Sequence, residues 1–305
     1  MLYTCTMNPS LDYYMEFDEA LKADGANRSR LEYYEAGGKG INISIVLNNL
    51  GVPSSAFGFI GGFTKDFYIS LLSRYENIRP NFTYTNGHTR INIKTSGPDG
   101  MELNATGPYI TDKDMKNLMD KVDRLGKGDY LALAGMTQEY LENDVLEMLK
   151  AAIAEEVYVV LDTNPGLMRR VLEYHPFMIK TTPAELAEML DETIESKEDV
   201  VAAMKKVKEH ADLVMVLLNK EVALLCCEEG VYECNILKAY DAVSMVGTGD
   251  SMVAGFLMNY RRSRNTLDSF RFAASCGSAT AYSKGLATRE KIDSFYEETE
   301  IRKID

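Results

Sequence analysis

Apolar and polar positions along the chain follow two different rhythms. One is a repeated alternation of short apolar runs with amphipathic stretches. Leu2–Met7, 56–60, Tyr130–Leu133, Val157–Leu161, Phe177–Lys180, Leu213–Leu218 and Ala223–Cys227 read as strands. Between them, residues 112–124, 140–154, 183–190, 197–209, 251–262, 266–283 and 288–298 carry helical spacing, as do Ile41, Ile45, Val46 and Leu50. Continuous apolar strands between amphipathic helices predict a mostly parallel sheet covered on both faces, an α/β fold. The second rhythm is polar alternation, in 13–36 and in 83–108, the latter with a Gly97-Pro98-Asp99-Gly100 hairpin turn. Half-polar strands fit poorly into a buried sheet. They are expected to form a small separate sheet, a lid, inserted into one domain spanning 1–305. The run Ala242–Val246 is also β-capable.

Composition narrows the partners. The 305 residues are 46% hydrophobic, enough for a sizeable core, and carry a net charge of −13. Such acidity argues against nucleic acid. An anionic substrate would need a few local cations. Five cysteines without a CxxC pair and three histidines give no zinc spacing, so reduced thiols in a cytoplasmic protein are expected. No signal-peptide pattern and no membrane-length apolar run is present.

Two glycine turns carry the candidate chemistry. Val246-Gly247-Thr248-Gly249-Asp250-Ser251 stands before a helix-capable run, so bare backbone N–H groups and a helix N-terminus face an anion. Asp250 in the same turn would repel that anion. Its placement makes sense if it takes a proton from a hydroxyl while the amides of Gly247, Thr248 and Gly249 stabilise the phosphoryl group under attack. A plain helix cap is the alternative. Gly37-Gly38-Lys39-Gly40-Ile41-Asn42 allows close backbone approach, with Lys39 as a point charge and Asn42 as donor and acceptor. An ordinary strand-to-helix turn explains it equally well. Neither matches a P-loop or dinucleotide fingerprint. Asn8 and Asp12 follow the first strand, where ligands bind in open α/β sheets, or belong to an Asx turn. Period two puts Arg90, Asn92 and Lys94 on one strand face, cationic or simply solvated. Thr182 caps a helix with Pro183 in its first turn; Glu185 either closes a capping box or holds a hydrated Mg²⁺.

The order of these motifs resembles the ribokinase-like phosphofructokinase-B family of sugar kinases over essentially the whole chain. Gly37–Asn42 is similar to the family's first signature, and Val246–Ser251 to its second, more specific one. Thr6–Asp12, Thr89–Lys94, Met101–Asn104 and Gly107-Pro108 are similar to the branch acting on hexose monophosphates, 1-phosphofructokinases and tagatose-6-phosphate kinases. The resemblance implies a three-layer α/β/α core with a lid, and ATP-dependent conversion of fructose 1-phosphate to fructose 1,6-bisphosphate. Asp250 would be the base, within an anion hole at Gly247, Thr248 and Gly249. Asn8, Asp12, Gly37, Gly38, Asn42, Asn92 and Asn104 would hold the sugar, and Lys39 and Arg90 its phosphate. Lys180, Asn219, Glu221, Gly249, Ser275 and Gly277 would face the nucleotide, and Glu185 the Mg²⁺. A monovalent cation is left open, as is a homodimer through the lid. Three segments depart from the family pattern: Lys180-Thr181-Thr182-Pro183-Ala184-Glu185 lacks an asparagine, Leu217–Ala223 lacks a Ser/Thr and a glycine, and Gly135–Gln138 is shortened. All lie on or near the nucleotide side. The rival reading is therefore a sugar-phosphate-binding sensor without kinase activity.

Overall fold

A computed structural model of the chain describes residues 1–98, 100–219, 222–235 and 242–305. In chain order the strands and helices begin β1 (Leu2–Thr6), β2 (Ser10–Glu16), β3 (Leu31–Gly37), α1 (Lys39–Asn49), β4 (Ser54–Gly61), α2 (Gly62–Leu72), β5 (Ile78–Pro80), β6 (Thr83–Thr85), β7 (Arg90–Ser96), β8 (Glu102–Leu103) and α3 (Asp112–Val122). They continue β9 (Tyr130–Ala134), α4 (Glu142–Ala154), β10 (Tyr158–Asp162), α5 (Pro165–Val171), β11 (Met178–Thr181), α6 (Pro183–Leu190), α7 (Lys197–Lys208), β12 (Leu213–Leu217), β13 (Val222–Cys227) and β14 (Gly230–Asn235). The last are α8 (Thr248–Ser263), α9 (Thr266–Ala281), α10 (Arg289–Tyr296) and β15 (Ile301–Lys303).

The large sheet runs β15-β14-β13-β12-β11-β10-β9-β1-β4-β5, with β6 continuing alongside β4. From β12 through β4 every pairing is parallel. Strand alternation splits its side chains between two cores. Leu131 and Leu133 join Cys5, Phe57 and the faces of α3 to α7. Tyr130, Ala132 and Ala134 join Leu2 and the faces of α1, α8 and α9. Burial on both sides explains why these strands read as apolar runs. Three helices start on reciprocal caps, Thr111 with Asp114, Thr182 with Glu185 and Ser196 with Asp199.

The second sheet is present, in the order β3-β2-β7-β8. Its register sets Ser10, Asp12 and Tyr14 beside Arg90, Asn92 and Lys94. Strand β2 starts at Ser10, so Ser10, Leu11 and Asp12 belong to a strand rather than a loop.

Other expectations need correction. Residues 242–246 form no strand. The N–H groups of Val243 and Ser244 both go to the Ala281 carbonyl, at 2.8 and 3.1 Å, so no ladder forms. The edge from β13 to β15 is antiparallel, and β14 and β15 were not foreseen. Nor were α2 and α5.

Candidate active site

The parallel strands point their carboxyl ends toward one rim, and α1 and α8 begin there. Gly38, the residue before α1, has φ 130°, and a Cβ there would sit 2.7 Å from Thr6 Cγ2. Only glycine takes that conformation in that space. The turn it permits starts α1 at Lys39 and places Asn42 one helical turn on. Gly247, φ 77°, does the same for α8 and so places Thr248, Gly249 and Asp250 in the first helical turn. The N–H groups of Gly249 and Asp250 precede the first intrahelical bond, which Ser251 N donates to Gly247 O at 2.8 Å. The Thr248 N–H is partly used, reaching Met245 O at 3.3 Å. The N–H groups of Gly249 and Asp250 are therefore available to an anion, Asp250 in addition to the amides expected.

The centre of the site is a carboxylate that the sequence reading missed. Asp162, buried at the end of β10, accepts from Lys39 Nζ at 2.7 Å through one oxygen and pairs with Lys180 Nζ at 2.9 Å through the other. Lys180, at the end of β11, is buried; Lys39 is half-exposed, with 41% of its side chain open to solvent. Burial opposes the charge on Asp162, yet the two lysines hold its carboxyl below the usual aspartate range. Burial likewise opposes the Lys180 charge, yet Asp162 holds that ammonium above its ordinary value. Lys180 also lies against the start of α8, because a Cβ on Gly249 would stand 2.9 Å from Nζ.

Asp250 faces this trio from α8. Asn42 Nδ2 donates to Asp250 Oδ2 at 2.8 Å and fixes the carboxylate. Burial, then the charge of Asp162, pushes Asp250 up to about 6, against the pull of Asn42, Lys180 and Lys39. A carboxylate of that proton affinity is matched to general-base work near neutral pH.

A second group lies on the small sheet. Asp12 accepts from Ser10 Oγ at 2.7 Å and Asn92 Nδ2 at 3.0 Å, and pairs with Lys94 at 3.2 Å. Gly37 packs against it, since a Cβ there would meet Asp12 Oδ2 at 2.5 Å. Arg90 donates to Asn8 O and to Ala105 O, both at 3.2 Å. Asn8 Nδ2 holds Thr106 O at 2.8 Å, and Asn92 Oδ1 accepts from Ala105 N at 3.1 Å. These bonds fasten 104–107 over the small sheet, while the Asn104 side chain is exposed.

Other candidates fall elsewhere. Glu185 closes the Thr182 capping box, accepting from Thr182 N at 2.9 Å. It is close enough to Lys180 to raise its proton affinity. Asn219 closes the β12–β13 turn, accepting from Val222 N at 2.9 Å. Ser275 is buried between α9 and the chain end, bonded to Arg271 O and Thr299 Oγ1 at 3.0 Å. Gly277 lets α9 approach α8, with Thr248 Cγ2 3.4 Å from a Cβ placed there. Glu221 lies outside the described residues.

A buried carboxylate on an anion turn, beside two lysines, is the equipment of phosphoryl transfer. Residues 6–292 match the pfkB family carbohydrate kinases. The chain belongs to that family. The kinase is 37% identical to the 1-phosphofructokinase of Bacillus subtilis over 306 residues, covering 100% of both chains. It is 31% identical to the 1-phosphofructokinase of Borreliella burgdorferi, covering 96% of this chain and 95% of that one. It is also 31% identical to the D-tagatose-1-phosphate kinase of Bacillus licheniformis, covering 96% of each. Phosphofructokinase-2 from Escherichia coli, solved with substrates and products, superposes with a TM-score of 0.91 at 22% identity, covering 97% and 98% of the two chains, and so shows the fold.

Family membership implies ATP and Mg²⁺. Among the described residues no three His, Cys, Asp or Glu side chains gather into a metal cage. That donor set fits a hydrated Mg²⁺ arriving on phosphate, which needs one or two protein carboxylates at most. Glu185, with one oxygen in its cap, would hold it. No helix among the described residues is long and apolar enough to cross a membrane.

Proposed function

We propose that this kinase transfers the terminal phosphoryl group of ATP to the 6-hydroxyl of a ketohexose 1-phosphate, with fructose 1-phosphate preferred. The carrying observation is Asp250, buried, held by Asn42 and raised to about 6 beside the Lys39–Asp162–Lys180 trio. A pure sugar-phosphate sensor would need no such base. The relatives' names support the sugar: fructose 1-phosphate and tagatose 1-phosphate differ only in configuration at C4. Tagatose 6-phosphate, the alternative raised by the motifs, is not among those names.

Asp250 takes the hydroxyl proton as the oxygen attacks. The N–H groups of Gly249 and Asp250 and the α8 terminus receive the charge on the transferred group. Lys39 and Arg90 neutralise phosphate oxygens; Asp12, Asn92, Asn8 and Asn104 hold sugar hydroxyls. Lys180 faces the ATP phosphates, with Asn219 toward the nucleotide. Mg²⁺, held on the phosphates near Glu185, would offset their charge. The small sheet acts as a lid, and its exposed Leu31, Ile91 and Leu103 suit a contact with a second copy. A monovalent cation at the anion turn belongs to the same reading; the Escherichia coli neighbour was also solved with potassium.

An ADP-coupled assay with fructose 1-phosphate, tagatose 1-phosphate and tagatose 6-phosphate, with and without K⁺, tests this. The highest kcat/KM is expected with fructose 1-phosphate. Tight fructose 1-phosphate binding with no turnover of any sugar would refute the kinase reading in favour of the sensor.

A further inference from the structure

Asp162 is an unusual object in a site meant for phosphates. It is a full negative charge, buried, where two phosphorylated substrates must meet. Its two oxygens are each taken by a lysine, one from α1 and one from the end of β11. Those lysines differ in freedom. Lys180 is enclosed, with 8% of its side chain exposed, and lies between Asp162 and Gly249. Lys39 stands at the first residue of α1, 41% exposed, on a long flexible stem.

We propose that Asp162 is a positioning residue that acts as an exchangeable counter-ion for Lys39. In the ligand-free site it holds Lys39 and Lys180 together as one compact cationic pair. When phosphate charge enters, Lys39 leaves the carboxylate for the phosphate, while Lys180, enclosed, stays in its ion pair with Asp162 at 2.9 Å. The pair is thereby poised for the anion without two unpaired ammonium groups standing side by side. The inference rests on the phosphoryl-transfer reading above.

The same charge acts on the base. Asp162 favours the protonated form of Asp250, and Lys39 and Lys180 oppose it. With Asn42, these are the groups that face Asp250 from α1, β10 and β11. Removing the acidic and the basic member of the pair should therefore move the pH profile in opposite directions, which a merely structural role would not do.

The test uses the full-length enzyme, with wild-type turnover of fructose 1-phosphate established first. If wild type does not turn over, the kinase reading has failed rather than this one. Asp162→Asn should lower kcat by roughly two orders of magnitude, the scale of a lost preorganised charge. KM for the sugar phosphate should stay within about threefold, because Lys39 remains free for it. The acid limb of the pH–kcat/KM profile should move down. Lys39→Met, at a half-exposed position that should fold, should raise the sugar-phosphate KM about tenfold or more and move the acid limb up. In the D162N background the Lys39→Met cost in KM should be unchanged, but its upward pH shift should start from the lowered limb. Limbs moving the same way, or not moving, overturn the proposal. So does D162N with kcat within about twofold of wild type. If D162N does not fold, an unmoved limb in Lys39→Met alone overturns it.

Discussion

Replacing Asp250 with asparagine should make the enzyme slower and more stable at once. The ordinary aspartate value is 3.8, and Asp250 is raised to about 6, with burial the main cause and Asp162 the next. That difference of about two pH units corresponds to ~3 kcal/mol favouring the protonated form in the folded protein. The sign follows directly. A carboxyl raised on folding contributes stability that is fully present below pH ~4 and lost as pH rises through ~6. At pH 7.5 the native state therefore holds an ionised Asp250 at a cost of ~3 kcal/mol, net of Asn42 and both lysines. Asparagine carries no charge to desolvate, and its carbonyl oxygen still accepts from Asn42 Nδ2. Urea unfolding at pH 7.5 should thus find Asp250→Asn more stable by roughly 2–3 kcal/mol; the gap should narrow to about 1 kcal/mol by pH 4.5 and close below pH ~4. In the coupled assay the same variant should lose at least ~10²-fold in kcat, with the Kd for sugar phosphate nearly unchanged. Wild-type kcat/KM should fall tenfold per pH unit below about 6. A variant no more stable than wild type at pH 7.5, or one with near-normal kcat, would refute the assignment.

Arg90→Ala should raise KM for the phosphorylated sugar by roughly 10–100-fold, the worth of a charge-assisted bond. If the unphosphorylated sugar loses as much, Arg90 serves only to hold Asn8 and Ala105. Gly38→Ala forces a side chain into φ 130° and to 2.7 Å from Thr6 Cγ2. It should cost roughly 1–3 kcal/mol in urea unfolding and lower kcat together, because Lys39 and Asn42 hang from that turn; unchanged values of both would show that the turn relaxes freely.

The parts of the fold that were legible are those whose pattern is local. Tyr130–Ala134 and Glu142–Ala154 each display their own period, so their types could be read without knowing their neighbours. The run at 242–246 looked like a strand because its residues are β-capable. A strand needs a partner ladder, and both amides there are claimed by Ala281 O. Helix α2 escaped because it starts Gly62-Phe63-Thr64 and its apolar stripe is weak. Within the site, Asp250, Lys39 and Asn42 stood out through their glycine turns. Asp162 did not, because it directly follows the apolar run Val157–Leu161 with no glycine turn to mark it. A hint existed: Asp162 ends one buried strand and Lys180 stands next to the end of another, and a charge in that position needs a counter-charge. Pairing them requires knowing that β10 lies beside β11 and that Lys39 reaches Asp162 from the start of α1, information that is not local. Ser275 follows only from the resemblance, and α9 turns it inward, onto Arg271 O and Thr299 Oγ1.

The departures on the nucleotide side look different once their bonds are known. Thr182 stands where the family pattern has asparagine, and both residue types are good helix N-caps. Its hydroxyl accepts from Glu185 N at 3.3 Å, and Glu185 Oε2 accepts from Thr182 N at 2.9 Å. The change therefore preserves the start of α6 and the place of the Glu185 carboxylate, and removes an amide. The shortened Gly135–Gln138 segment is secured another way. Thr137 N donates to Asn164 Oδ1 at 2.7 Å, and Asn164 Nδ2 returns to Thr137 O at 3.0 Å. Asn164 lies two residues beyond Asp162, so this clasp also fixes the end of β10 on which both lysines depend. Asn219 uses its carbonyl to close the turn before β13, accepting from Val222 N at 2.9 Å. None of the three changes touches the Asn42–Asp250 bond or the ion pairs of Asp162 with Lys39 and Lys180. Their effect should fall on nucleotide binding, while the proton transfer and the charge around it stay as the glycine turns and the two lysines set them.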